Sequence, residues 1–116
     1  MSARYFRSSD LQFKDDVEGA RYWSVALDRA MLTYFEVAPK SRFERHAHES
    51  EQITLVLDGV LYFELDDGLV AVGAGEAIAV PSNVPHAVFT GTEAARAVDA
   101  WSPIPITYRA DACRSR

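Results

Sequence analysis

The chain has 116 residues, of which 48% are apolar and 25% are charged, as in one ordinary globular domain. Its net charge of −5 argues against a nucleic-acid partner, and neither a GxxxxGK nor a GxGxxG phosphate loop occurs. No apolar run reaches the roughly 18 residues of a membrane span, and no signal peptide is recognisable. Cys113 is the single cysteine, so an internal disulfide is excluded. We therefore expect a cytoplasmic protein with no membrane partner.

Short runs rich in β-branched and aromatic residues follow one another along the chain, with turn residues between them. The predicted strands are 22–28, 31–37, 42–48, 51–57, 60–65, 69–72, 77–80, 86–90 and 95–101. Before them we expect an irregular lead-in over about 1–20, in which 8–18 forms either a short helix or irregular structure. After them we expect a frayed tail over about 109–116. The pattern predicts a single all-β domain over 1–116, either a sandwich or a barrel.

Two histidines, His46 and His48, lie two residues apart in one strand-like run. Side chains at this spacing on a strand point to the same face, and a rigid pair of imidazoles suits a divalent metal. The other interpretation of such a pair is a surface sequence without ligands, because two imidazoles do not fix a coordination sphere. His86, the remaining histidine, is the candidate for a third ligand.

The surrounding sequence resembles the two motifs of the cupin superfamily. Residues 46–59 read HAHESEQITLVLDG and residues 75–86 read GEAIAVPSNVPH. They are similar to HxH followed by an acid and Gly, and to GxxxxxPxGxxH. The resemblance implies a single-domain antiparallel β-barrel, also called a double-stranded β-helix or jelly roll. It also implies that the three histidines bind one divalent transition metal ion (Zn, Ni, Mn or Fe) inside the barrel mouth.

Gln52 stands where the superfamily usually has Glu, and we expect its amide oxygen to be the fourth ligand. Strand alternation places Gln52 on the face of the histidines and Glu49 and Glu51 on the other face. A bulge near Ser50 would reverse this order and make one of the two glutamates the ligand instead. A neutral ligand set leaves the ion its full +2 charge, which favours Lewis-acid chemistry.

The last predicted strand reads VDAWSP, and with PSNVPHAV it resembles small KdgF-type cupins, which process unsaturated uronates. That resemblance implies a proton-handling role for Asp99 and a pocket-wall role for Trp101. The KdgF-type segment continues with a basic residue, whereas this chain continues Ser102-Pro103-Ile104. Arg42 shares strand parity with His46 and is the candidate substrate-binding cation in its place.

We expect a metal-dependent lyase or isomerase that opens a ring or moves a proton in a small oxygenated, anionic substrate such as an unsaturated uronate. One alternative is a metal-dependent dioxygenase, which needs a redox-active metal. Another is a cupin that binds a small ligand without turnover. Exposed edge strands give a physical motive for pairing, so we also expect a homodimer.

Overall fold

The computed structural model describes residues 3–105 and 113–114, and the fold is almost entirely β. A 3-10 turn over Ser8–Asp10 precedes the strands. In chain order the strands are β1 (Lys14–Asp15), β2 (Ala20–Ala26), β3 (Met31–Val37), β4 (Arg42–His46), β5 (Glu51–Asp58), β6 (Val60–Leu65), β7 (Gly68–Gly73), β8 (Ala77–Val80), β9 (His86–Phe89), β10 (Ala95–Ser102) and β11 (Cys113–Arg114).

The nine predicted strands are all present, and β3, β6 and β8 have the predicted bounds. The two-residue strands β1 and β11 were not predicted, because two residues are too few to show a period. β1 lies in the lead-in, which otherwise contains the 3-10 turn and no α-helix among its described residues. Of the tail at 109–116, the structure describes only Cys113–Arg114, which pairs in parallel with β2. The rest of that prediction lies outside the described residues.

Two antiparallel sheets face each other across the core. The larger sheet has the order β1-β2-β3-β10-β5-β8, with β11 also paired to β2, and the smaller sheet has the order β4-β9-β6-β7. Alternate residues of β2, β3, β5 and β10 are buried, so each of these strands has one inward and one outward face. The predicted antiparallel jelly-roll fold is confirmed.

The first strand of the smaller sheet, β4, contains an irregularity that matters for the site. Arg42 and Phe43 pair with Phe89 and Val88, but the next pair is His46 with His86. Three steps on β4 therefore match two steps on β9, which is the count of a β-bulge. The ladder ends at this pair because Pro85, which precedes His86, has no amide hydrogen to donate. β4 consequently ends at His46 rather than at the predicted residue 48.

Two left-handed residues shape the turns around the motifs. Gly59 has φ +76°, and a Cβ there would lie 2.2 Å from the Ala94 carbonyl oxygen, so a side chain has no room. Asn83 has φ +63° at the position where the superfamily motif has Gly, as the tolerance of Asn for this conformation allows. Within the described part of the chain, no helix has the length and apolarity that crossing a membrane requires.

Candidate metal centre

The three histidines meet at one end of the barrel although they come from different segments. His46 is the last residue of β4, His48 lies in the loop that follows, and His86 is the first residue of β9. Their ring centroids are 4.4 to 5.4 Å apart. One ligand nitrogen from each ring lies within 4.8 Å of the others. His86 is buried, His48 is half-buried and His46 is exposed, so the cluster lies between the interior and solvent.

Hydrogen bonds to the backbone determine which ring nitrogens face one another. Nδ1 of His46 lies 2.7 Å from the Glu44 carbonyl oxygen, and Nδ1 of His48 and His86 make the same contact with the carbonyls of Ser50 and Val84. A carbonyl only accepts, so each Nδ1 carries the hydrogen and each Nε2 keeps its lone pair. Burial lowers the pKa of His86, with a further contribution from its histidine neighbours, and this favours the neutral ring that metals bind.

Gln52 brings a fourth acceptor to the same point. It is buried on the inner face of β5, with Oε1 3.1 Å from His48 Nε2 and Nε2 donating to Thr54 Oγ1 at 2.9 Å. The amide oxygen and the imidazole lone pair therefore face each other, which is unfavourable unless a cation lies nearby. Three imidazole nitrogens and one amide oxygen suit a divalent transition metal. The residues present fit the metal that the fold implies.

The two acidic alternatives lie elsewhere. Glu49 and Glu51 are both exposed, and Gln52 between Glu51 and Ile53 points inward, as alternation along β5 requires. No bulge at Ser50 reverses this parity, because Ser50 lies in the loop before β5 begins. The predicted face of Gln52 agrees with the structure. Its role as a ligand stays a prediction.

Asp99 lies on the inner face of β10 and lines the same cavity as His46, Gln52 and His86. Its Oδ1 accepts a hydrogen bond of 2.6 Å from Thr54 Oγ1. Burial raises the pKa of this carboxyl to about 7, against the opposing effect of the Thr54 hydrogen bond. Both protonation states of Asp99 are then populated near neutral pH, as proton transfer requires.

Trp101, two residues further along β10, forms one wall of the cavity. Its ring meets the His48 ring edge-on at a centroid distance of 5.4 Å. The indole N–H donates to Thr33 Oγ1 at 3.0 Å, and Thr33 is hydrogen-bonded in turn to Ser24. These buried hydroxyls hold the ring in one orientation against the histidine cluster.

Arg42 does not share the face of the histidines, so the parity prediction for it is wrong. The bulge between Phe43 and His46 shifts the alternation by one residue, and Phe43 rather than Arg42 lines the cavity. The Arg42 guanidinium instead forms ion pairs with Glu64 and Glu44 on the outside of the smaller sheet. The hydrogen bonds that the guanidinium donates to these carboxylates raise its pKa further, so Arg42 stays charged and paired.

The cavity has a volume of about 50 Å³, and most of its surface is apolar. Its walls come from both sheets: Phe35, Val37, Phe43, His46, Gln52, Thr54, Leu61, Phe63, His86, Val88, Ala97, Asp99 and Trp101. Neither Lys nor Arg is among these residues. Sequence reasoning missed Thr54, which bonds to both Gln52 and Asp99, although its spacing of two from Gln52 on one strand was a usable signal.

Several solved structures share this fold. The polyketide cyclase RemF from Streptomyces resistomycificus is 26% identical, with a TM-score of 0.79 over 90% of this chain and 82% of its own. KdgF from Halomonas sp. is 21% identical, with a TM-score of 0.80 over 87% of this chain and 95% of its own. An RmlC-like cupin from Shewanella frigidimarina is 18% identical, with a TM-score of 0.83 over 92% and 96%.

Curated protein sequences give no match. The family model described as the cupin domain, however, matches residues 33–101, which is more than half of the chain and contains every residue of the candidate site. The two histidine motifs, the two-sheet barrel and this match agree, and the chain belongs to the cupin domain family.

Proposed function

We propose that this chain is a metal-dependent enzyme of the lyase or isomerase type that moves a proton in a small, enolisable oxygenated substrate. The observation that carries the proposal is a set of four convergent acceptor atoms, three of which belong to residues that line the same cavity as a buried carboxyl group, Asp99. A divalent ion held by His46, His48, Gln52 and His86 would supply Lewis-acid polarisation of a substrate oxygen.

The remaining chemistry belongs to the chain's own side chains. Asp99 takes a proton from the carbon next to a carbonyl and returns it at another atom, so the substrate is isomerised without net change. Thr54 donates to Oδ1 of Asp99 and leaves the other oxygen for the substrate. The Trp101 ring holds the substrate body, and the phenylalanines around it exclude water from the reacting carbon.

The cavity lining favours a substrate with an apolar body. Aromatic and aliphatic side chains dominate it, and no lining residue is a lysine or arginine that would pair with a substrate carboxylate. Similarity to a polyketide cyclase at 26% identity supports the same choice, because polyketides carry enolisable carbonyls on a carbon skeleton. We therefore rank an enolisable ketone with an apolar skeleton above a sugar acid.

An unsaturated uronate is the second candidate. The Asp99-x-Trp101-Ser102-Pro103 segment resembles that of KdgF-type cupins, and a KdgF structure shares the fold. This substrate would rely on the bound ion for its carboxylate or hydroxyl, since the cavity offers no cationic side chain.

Proton exchange tests the proposal without knowledge of the natural product. Metal-loaded protein in D₂O is incubated with a panel of aryl and alkyl 1,3-diketones, and deuterium incorporation is followed by NMR. Loss of absorbance of 4,5-unsaturated uronates is the second arm, after subtraction of spontaneous ring opening.

Asp99→Asn should slow the reaction by about 10²–10⁴-fold with metal content unchanged. Asp67→Asn, at an exposed turn, is the matched control and should retain the full rate.

Other results would favour the alternatives. Oxygen consumption that requires iron and stops under anaerobic conditions would indicate a dioxygenase. Tight binding of a panel member, with no exchange by fully loaded protein, would indicate a ligand-binding cupin. Exchange that is unaffected by Asp99→Asn would contradict the assigned role of Asp99.

A further inference from the structure

The bulge in β4 places an arginine beside the candidate metal centre. Arg45 lies in the bulge, between the pairs that Phe43 and His46 make with β9. Bulges beside functional sites commonly redirect a side chain. This one moves Arg42 to the outside of the sheet and leaves Arg45 directly before His46, at the end of the strand. The cation that the sequence predicted at position 42 is therefore not in the cavity, and another lies at its mouth.

Arg45 reaches across the smaller sheet at this end. Its guanidinium forms an ion pair with Asp66, in the turn between β6 and β7. The sheet order β4-β9-β6 puts β9 between the two residues, and two strand spacings amount to about 10 Å. Glu64 on β6 pairs with Ala87, the residue after His86, so Asp66 lies just beyond the level of His86. The Arg45–Asp66 pair therefore spans the end of β9 at which His86 lies.

The positive charge of Arg45 acts on the same histidine. Burial is the main cause of the lowered pKa of His86, and the charge of Arg45 is among those that lower it further. The cavity lining described above includes neither a lysine nor an arginine. Arg45 thus supplies at the mouth the positive charge that the described cavity wall does not.

The mouth is fastened on one side and loosely closed on the other. Where loops cross between the two sheets, Ser50 donates a hydrogen bond to the Pro103 carbonyl, and Ser82 donates at 2.6 Å to a carbonyl of the loop after β4. On the smaller sheet, the Arg45–Asp66 pair joins side chains that are 49% and 71% exposed. An exposed ion pair contributes little to stability because water screens it. Arg45 can therefore leave Asp66 at little cost, whereas the serine-linked loops stay in place.

We propose that Arg45 binds an anionic group of the substrate at the mouth, with Asp66 as its partner in the free protein. The guanidinium already binds a carboxylate at this point, so a substrate carboxylate or phenolate would replace a group of the same chemistry. The inference rests on the proposed function, which places the reacting carbonyl group at the histidine cluster. It narrows the substrate to an enolisable ketone whose body is apolar and whose outer end carries one negative charge.

Comparison with Arg42 shows why Arg45 is the arginine available to a ligand. Arg42 is 39% exposed and donates to two carboxylates, Glu44 and Glu64, on the outer side of the sheet. Arg45 is more exposed and has a single carboxylate partner among the described residues. Exchange at Arg45 breaks one ion pair, whereas exchange at Arg42 breaks two. The two arginines lie on the same strand, so Arg42 is the matched control for Arg45.

Isothermal titration calorimetry on metal-loaded protein tests the assignment of Arg45. The probes are 1-phenylbutane-1,3-dione and its 3- and 4-carboxylates on the phenyl ring, which share the diketone and differ in charge. Arg45→Gln should weaken binding of the tighter carboxylate by about 10-fold, because a charge-assisted contact is lost. It should leave the affinity for the neutral diketone within about two-fold of wild type, and Arg42→Gln should leave the affinities for all probes unchanged.

Asp66→Asn should act in the opposite direction. It removes the competing carboxylate and should strengthen carboxylate binding by about 2–5-fold, the usual effect of an exposed ion pair. A merely structural role of the pair would instead weaken binding of neutral and charged probes alike in both variants. Circular dichroism and metal analysis establish that each variant is folded and loaded. If Arg45→Gln does not fold, Arg45→Lys replaces it: it keeps the charge, loses the paired N–H geometry and should lose about 3-fold for the carboxylate alone.

Deuterium exchange of the same probes separates this inference from the proposed function. An Arg45→Gln protein that binds the carboxylates as tightly as wild type, or that loses affinity for the neutral diketone equally, would overturn the assignment of Arg45. If the wild type still exchanges the neutral diketone in that case, the proposed function stands. A loss confined to the carboxylates, with no exchange of any probe by the wild type, would support Arg45 as an anion-binding residue and contradict the proposed function.

Discussion

The Thr54 hydroxyl has two hydrogen-bond partners, and their chemistry fixes its direction. Gln52 Nε2 can only donate, so Thr54 accepts from it and turns its own hydrogen toward Asp99. The amide of Gln52 is thereby held with its oxygen, rather than its nitrogen, toward the histidines. One hydroxyl group orients both the candidate fourth ligand and the candidate proton carrier.

Replacing this hydroxyl should therefore weaken metal binding. Thr54→Val keeps the shape of the side chain but leaves the Gln52 amide hydrogen without an acceptor. We expect metal affinity to fall by about 10–100-fold, the usual effect of losing a group that orients a ligand. Competition with a chromophoric chelator measures the affinity. Thr54→Ser restores the hydroxyl and should stay within a few-fold of wild type; equal affinities for all three proteins would show that Thr54 does not orient Gln52.

Asp99 should make the stability of the metal-free protein depend on pH. Its pKa is about 7 in the folded state against 3.8 for an ordinary aspartate, so the native state holds the proton more tightly. Proton binding by Asp99 therefore stabilises the folded state. This contribution to the free energy of unfolding is fully present below pH 3.8 and is lost as the pH rises through 7, and it amounts to on the order of 4 kcal/mol in total. Asp99→Asn removes this pH dependence of stability. The separate pH dependence that comes from the lowered pKa of His86 remains in the variant.

Urea unfolding of chelator-treated wild type and Asp99→Asn between pH 4.5 and 8 measures this difference. The free energy of unfolding of the variant, relative to wild type, should rise across this range. A constant difference would mean that the folded-state pKa of Asp99 is ordinary. Using the difference between two proteins removes the contributions of all other titrating groups.

At the scale of elements, the sequence predicted the strand bounds well wherever the alternation of apolar residues and the position of the turn residues indicate the same boundary. β3, β6 and β8 have their predicted bounds because each apolar run ends at a turn residue. The inner face of β5, with Gln52 and Thr54, follows from the same alternation. What sequence could not show is the extra residue in β4, because a bulge depends on pairing with β9, which is distant in the chain. That one residue decides whether Arg42 lines the cavity.

The turn between β5 and β6 should tolerate no side chain at Gly59. Gly59→Ala combines φ +76° with a Cβ 2.2 Å from the Ala94 carbonyl oxygen, so the turn must move. We expect a loss of at least about 1–3 kcal/mol in the free energy of unfolding. Gly91→Ala is the matched control, since its Cβ would contact Tyr62 at an ordinary 3.6 Å. Chemical denaturation compares the two; similar midpoints would contradict the predicted strain.

At the scale of the whole molecule, the candidate ligands join two segments that are far apart in sequence, residues 46–52 and His86. They come from β4, the loop after it, β5 and β9, so a bound ion connects both sheets. The unfolded chain does not hold these groups together, and metal binding therefore adds to the stability of the fold. Free metal at 100 times its dissociation constant should add about 2.7 kcal/mol.

Thermal unfolding with and without a chelator measures this effect. The midpoint of wild type should fall when the metal is removed, and that of His86→Ala should not change, because its site is incomplete. His86 is the informative position, since it comes from the second motif. A His86→Ala protein that keeps one tightly bound metal ion per chain would contradict the candidate centre.

The bonds that orient the three imidazoles have a consequence for how this centre tolerates mutation. Each ring binds a carbonyl only two residues away in its own segment, at Glu44, Ser50 and Val84. Every amino acid supplies the same carbonyl, so no side chain has to be retained for the rings to keep their tautomers. The tautomers therefore depend on the path of the backbone at these three positions and place no requirement of their own on the side chains there.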